Sequence, residues 1–167
     1  MFGTLFLLAA AQTADPLAEA RAGKVQCVSP KVETKKCLAF ASYAARTDGS
    51  FDTVVTLMIA PSPLIAIETR SIATVEGDAV CSSVRKADYE AAKYTIDGKP
   101  ADTATASAIG AQVLASIAAL DGKKACSRDR AEGALMIEEV TLDGVARPEM
   151  TQKFIWVRPG EGYALGQ

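Results

Sequence analysis

Four Asp-Gly dipeptides, at Asp48-Gly49, Asp97-Gly98, Asp121-Gly122 and Asp143-Gly144, constrain this chain more than any other feature. Both residues accept positive φ at small cost, so the dipeptide favours the tight turn whose twist matches an antiparallel hairpin. The first separates residues 38–46 from 51–59, and in the latter Thr53, Val55, Leu57 and Ile59 alternate along one side. A period of two marks a half-buried strand, so these stretches are read as a hairpin. Pro61 and Pro63 break the chain before a β-prone stretch over 64–75, which Glu76-Gly77-Asp78 turns back into 79–84. The last Asp-Gly separates 134–142 from 151–158. In this second hairpin Ile155 and Val157 face one way, Phe154 and Trp156 the other.

One long helix interrupts the strands. Asp102 suits its N-cap, and Ile109, Val113, Ile117 and Leu120 fall on one face. Gly122 supplies the stop, with Lys123 and Lys124 at the negative end of the helix dipole. Shorter helical signals are Asp15-Pro16, running to Ala22, and Ser29-Pro30, for one or two turns ending near Cys37. The expected fold is α+β: an antiparallel sheet of about five to seven strands built from hairpins, with the long helix packed on one face. A chain of 167 residues, 49% of them hydrophobic, can bury one core, so residues 15–167 are expected to form a single domain.

Residues 2–11 are uncharged and apolar and end in Ala9-Ala10-Ala11, the pattern of a signal-peptide core followed by small residues. A signal peptide over 1–14 is expected, with no membrane span in the mature chain. Cysteine usage agrees. Cys27, Cys37, Cys81 and Cys126 contain no C-x-x-C pair, which argues against a zinc knuckle or a thioredoxin-type site and for structural disulfides. Three connectivities are open. Nearness along the chain favours Cys27 with Cys37, leaving Cys81 with Cys126.

The chemistry is constrained chiefly by what is missing. The chain has no histidine, which removes Ser-His-Asp and Cys-His systems, histidine metal sites and the usual general base near neutral pH. No asparagine and no phosphate-cradling glycine loop occur, and no cofactor or metal is expected. Eighteen basic and twenty acidic residues leave a charge of -2 with the basic ones dispersed, so nucleic acid is not an expected partner. Ser83-Val84-Arg85-Lys86 fits a Ser-x-x-Lys pattern without its companion motifs. Glu138 and Glu139 are neighbours on a strand and point to opposite faces, so they cannot share a proton or a metal and are read as a solvated strand end, while a glycosidase-type pair would need acidic residues brought together by folding. Phe154, Trp156, Arg158 and Tyr163 gather aromatic and basic character near the C-terminus and are the candidate binding surface, with Arg147-Pro148 in the preceding loop.

Gly23-Lys24-Val25-Gln26-Cys27-Val28-Ser29-Pro30, together with the stretch from Asp143-Gly144-Val145-Ala146-Arg147-Pro148 through Lys153-Phe154-Ile155-Trp156-Val157, resembles an uncharacterised family of small exported alphaproteobacterial proteins of the sphingomonad type. The resemblance implies a periplasmic or secreted location in a Gram-negative bacterium and brings no activity with it. The function expected is a non-enzymatic binding or envelope-accessory module, whose partner would be an envelope protein or a glycan. The alternatives are a carboxylate-dependent enzyme acting on glycans, or an inhibitor of a secreted enzyme presenting the charged Cys27 to Cys37 loop with Lys31, Glu33, Lys35 and Lys36.

Overall fold

The hairpins foreshadowed by the turn residues form, and they continue until the sheet meets itself. A computed structural model describes residues 15–167; the expected signal peptide at 1–14 lies outside the described residues. The chain opens with α1 (Ala18–Arg21), β1 (Val25–Val28), β2 (Lys36–Cys37), β3 (Ala39–Ala45), β4 (Phe51–Pro61), β5 (Leu64–Glu76) and β6 (Ala79–Ser83). It continues through α2 (Lys86–Glu90), β7 (Lys93–Ile96), β8 (Lys99–Pro100) and α3 (Thr103–Ile117). Then come β9 (Lys124–Glu132), β10 (Leu135–Leu142), β11 (Val145–Ala146), β12 (Gln152–Val157) and β13 (Ala164–Leu165).

Eight of these strands pair antiparallel in the circular order β1, β3, β4, β5, β6, β9, β10, β12, with β12 returning to β1. The order follows the chain, so this is an up-and-down barrel. The register carries one face inward all the way round. Tyr43 pairs with Thr53, Thr53 with Ser71, Val80 with Ser127, Ser127 with Val140, and Gln26 with both Trp156 and Ala41.

The expected α+β fold, an open sheet of five to seven strands with a helix on one face, is overturned by this closure. Two strands account for the difference. Residues 25–28 stand directly before Ser29-Pro30, whose helix-like signal yields only a single 3-10 turn at Val32–Thr34. Yet this short strand pairs with β3 on one side and β12 on the other and so consumes both edges of the sheet. In β9 the inward residues are Ala125, Ser127, Asp129 and Ala131, too small and polar to show an apolar alternation.

The longest link between barrel strands, from β6 to β9, carries α2, β7, β8 and α3. β7 extends the N-terminal half of β5, pairing Tyr94 with Ile67. Asp97 and Gly98, at φ 48 and 76, make the two-residue turn into β8, as Asp143 and Gly144 do between β10 and β11. Asp102 caps α3, its Oδ1 accepting from Thr105 N at 2.9 Å, and Ile109, Val113 and Ile117 lie on its half-buried side, with Leu120 half-buried in the 3-10 turn that follows. The stretch Thr103–Leu120 is uncharged and apolar enough, by length and composition, to cross a membrane. Alanine, not the large aliphatics, supplies much of that hydropathy. None of its residues is fully buried.

The disulfides are Cys27–Cys37 and Cys81–Cys126, as expected. The second joins register partners on β6 and β9, and two such bonds fit an oxidising compartment. Outside the barrel wall, Cys27, Cys37 and Val157 are covered by Phe40, Ile155 and Tyr163, where β13 pairs parallel with β2.

Candidate ligand-binding cavity

An eight-stranded barrel has an interior just wide enough for its own side chains to fill, so the inward residue types decide whether it is solid or hollow. Here both occur. At one end α1 plugs the barrel: Leu17, wholly inaccessible, and Ala20 pack on Phe51 and Ala73, with Trp156 and Tyr43 against them. Asp15 holds this plug in place, its Oδ1 accepting from Leu17 N at 3.0 Å and its Oδ2 meeting Arg21 at 2.8 Å. Across from β4 and β5, the large residues Phe154 and Met136 fill the wall side, with Phe154 edge-on to Trp156 at 5.7 Å.

The other side is built from smaller inward residues. Thr53 and Val55 on β4, Thr69 and Ser71 on β5, and Ser82, Ala125 and Ser127 on the following strands do not reach across the lumen. They leave a cavity of about 550 Å³, roofed by Val113, Ser116 and Ile117 of α3 and by Arg85, Asp88 and Tyr89 of the α2 region. This volume lies within the usual range for small-molecule sites. Its apolar wall includes Val55, Leu57, Ile67 and Val80. Leu57 and Ile59 remain 38% and 44% exposed, so the apolar surface runs out to the mouth.

Polar groups cluster inside the barrel, and three of them, Tyr43, Thr53 and Glu138, line the cavity. Glu138 is buried and lines the cavity, and its register partner across the β9–β10 ladder is Asp129. Directly opposed residues of an antiparallel pair carry their side chains on the same face about 5 Å apart at Cβ. Gln152 Nε2 donates to Glu138 Oε2, and the Tyr43 hydroxyl donates to Gln26 Oε1 at 3.1 Å. Burial first, and the charge of Glu138 second, push the Asp129 carboxyl up to about 7. Burial, then Glu138 and Asp129, push the Tyr43 hydroxyl far above its usual range, so it remains a donor. Thr53 Oγ1 and Asp129 Oδ1 are buried with no hydrogen-bond partner among the described residues.

The residues singled out from sequence divide between different places. Phe154 is wholly inaccessible inside the barrel and Trp156 packs beside it on Tyr43. Arg158 is exposed and reaches Glu161 at 3.9 Å, while Tyr163 lies outside the wall over the Cys27–Cys37 bond. Ser83 stands at the cavity rim, and Lys86 pairs with Glu90 at 3.1 Å. Arg147 meets Glu149 at 3.4 Å. Glu138 and Glu139 do point to opposite faces, Glu139 outward onto Arg130 at 2.8 Å. Asp129 was missed. The signal that could have found it is its alternation with Ser127 and Ala125, visible only once 124–132 is read as a strand. Among the described residues no group of three or more potential metal ligands converges.

The chain matches no known protein family, no curated protein and no solved structure.

Proposed function

We propose that the protein is an exported binding protein that holds one small, largely apolar molecule inside its barrel, in the periplasm or outside a Gram-negative cell. The observation that carries the reading is the cavity of about 550 Å³ between β4, β5, β6 and the helical roof. Barrels of eight strands hold a single small ligand when their inward residues are small on one side, and apolar walls with a few convergent polar groups are the usual composition of such sites. The two disulfides support the compartment, since they persist where thiols are not kept reduced.

A titration with Nile red, a neutral dye that brightens in apolar surroundings, tests this reading. The protein is expected to enhance its emission, and Ser71→Trp, which places an indole in the lumen, to abolish the enhancement while the far-ultraviolet circular dichroism stays unchanged. Equal enhancement in both proteins, or none in the parent, would remove the reading.

The Asp129–Glu138 pair also favours a second reading, a carboxylate-dependent enzyme, because one carboxyl is raised beside another that lines the cavity. The enclosing roof argues for a small substrate in that case and against a glycan polymer. Turnover of small glycosides that is lost in Glu138→Gln would establish it.

A further inference from the structure

We infer that the ligand of this cavity is an amine: a molecule with an apolar body and one cationic head seated between Glu138 and Thr53. The inference rests on the binding reading above and specifies the chemistry it selects.

The barrel sorts its charges by face. Every Lys and Arg in the eight barrel strands stands at an outward register position, and each is already engaged by a carboxylate outside: Arg70 with Glu68, Lys124 with Glu76, Arg128 with Asp78, Arg130 with Glu139, and Lys153 with Glu132. The inward face carries the opposite selection. Glu138 and Asp129 stand side by side there, with an amide donor from Gln152 and no cation from the strands around them. At the mouth, the Arg85 guanidinium is taken up by Asp88 at 2.7 Å.

A buried carboxylate is costly unless a cation or several donors meet it. Glu138 is 91% removed from solvent, being 9% exposed, and it lines the cavity wall. An ammonium entering the lumen would supply the missing partner. A second group in the same cavity lacks a partner: Thr53, 7% exposed, lines it with an Oγ1 that has no hydrogen-bond partner among the described residues. An ammonium has several N–H donors, so it can serve a carboxylate and a hydroxyl at once. Beyond these groups the wall turns apolar through Val55, Leu57 and Ile67 toward the mouth, where the body of the molecule would lie. A carboxylate ligand meets the reverse situation: the charge of Glu138 ahead of it and no cation from the barrel strands to offset its desolvation.

The experiment is competition for bound Nile red by decylamine, decanol and decanoate, which share a chain and differ in the head. Decylamine is expected to displace the dye about tenfold or more tightly than decanol, with decanoate weakest, as a charge-assisted hydrogen bond in a partly desolvated site implies. In Glu138→Gln the advantage of the amine should fall by about tenfold while decanol affinity stays within about twofold, which also shows that the variant is folded. Thr53→Val serves as the second variant and should weaken the amine several-fold while sparing decanol. Equal affinities for the three heads, a preference for decanoate, or an amine preference that survives Glu138→Gln would overturn the amine assignment and leave the cavity reading intact. Failure of Nile red itself to bind would instead remove the cavity reading, and the amine with it.

Discussion

Replacing Asp129 by Asn tests the central electrostatic feature of the lumen through stability alone. In the folded protein the Asp129 carboxyl is pushed from 3.8 up to about 7, by burial and then by Glu138. Between those values the folded state keeps a proton that the unfolded chain has released, so the unfolded state binds fewer protons and stability falls as pH rises. The extra stability is fully present below the unfolded value and is lost as pH rises through the folded one. One unit is worth about 1.36 kcal/mol, so the step from about pH 5 to about pH 7 amounts to at most about 2.7 kcal/mol. Asp129 is only partly buried, and after solvent screening about 1 to 2 kcal/mol is expected.

Two features keep that window clean. The chain has no histidine to titrate within it. The carboxylates held low by ion pairs, such as Asp78 by Arg128 and Glu132 by Lys153, lose their contribution only as pH falls through their depressed values, below the window. Urea unfolding followed by the emission of Trp156, the sole tryptophan, should give a midpoint that declines from about pH 5 to about pH 7 in the parent and stays level in Asp129→Asn. The variant should be the more stable protein at the upper end. A parent midpoint that is flat or rising, or an equal decline in the variant, would refute the account of a carboxyl held protonated inside the barrel.

Two further outcomes follow from the packing and the cross-links. Phe154→Ala should lose about 3 to 5 kcal/mol in urea unfolding, because Phe154 is wholly inaccessible and edge-on to Trp156; a loss near zero would mean that the barrel is not packed around it. Removing Cys81–Cys126, which closes a separation of 45 residues, should cost about 4 kcal/mol, and removing Cys27–Cys37, which closes 10, about 3 kcal/mol, on the loop-entropy account; the reverse order of thermal midpoints would contradict it.

Local features were legible wherever one residue type leaves the backbone little choice. Asp97-Gly98 and Asp143-Gly144 adopt the positive φ angles that a two-residue hairpin turn needs, and Asp102 caps its helix with its own carboxylate. The alternation of Phe154 and Trp156 against Ile155 and Val157 also survives, since strand side chains must alternate. The disulfide pairing came from nearness in sequence, and the structure places each pair within bonding distance. Residues 124–132 were opaque for a physical reason: a run of Ala, Ser and Asp facing the barrel interior buries little apolar surface, and apolar periodicity is what a strand is recognised by.

The sequence alone settled the tight turns at its Asp-Gly pairs, which side chains share a face in the strands and the long helix that its periodicity marks, and which histidine-based chemistries are impossible. It did not settle how the strands connect around a circle, because the decisive contact joins Val25–Val28 to Gln152–Val157, more than a hundred residues away. Closure is a property of the whole sheet: the β9–β10 hairpin sets Asp129 opposite Glu138, but only when the β1–β12 pairing forms do the inward faces enclose a volume around Glu138.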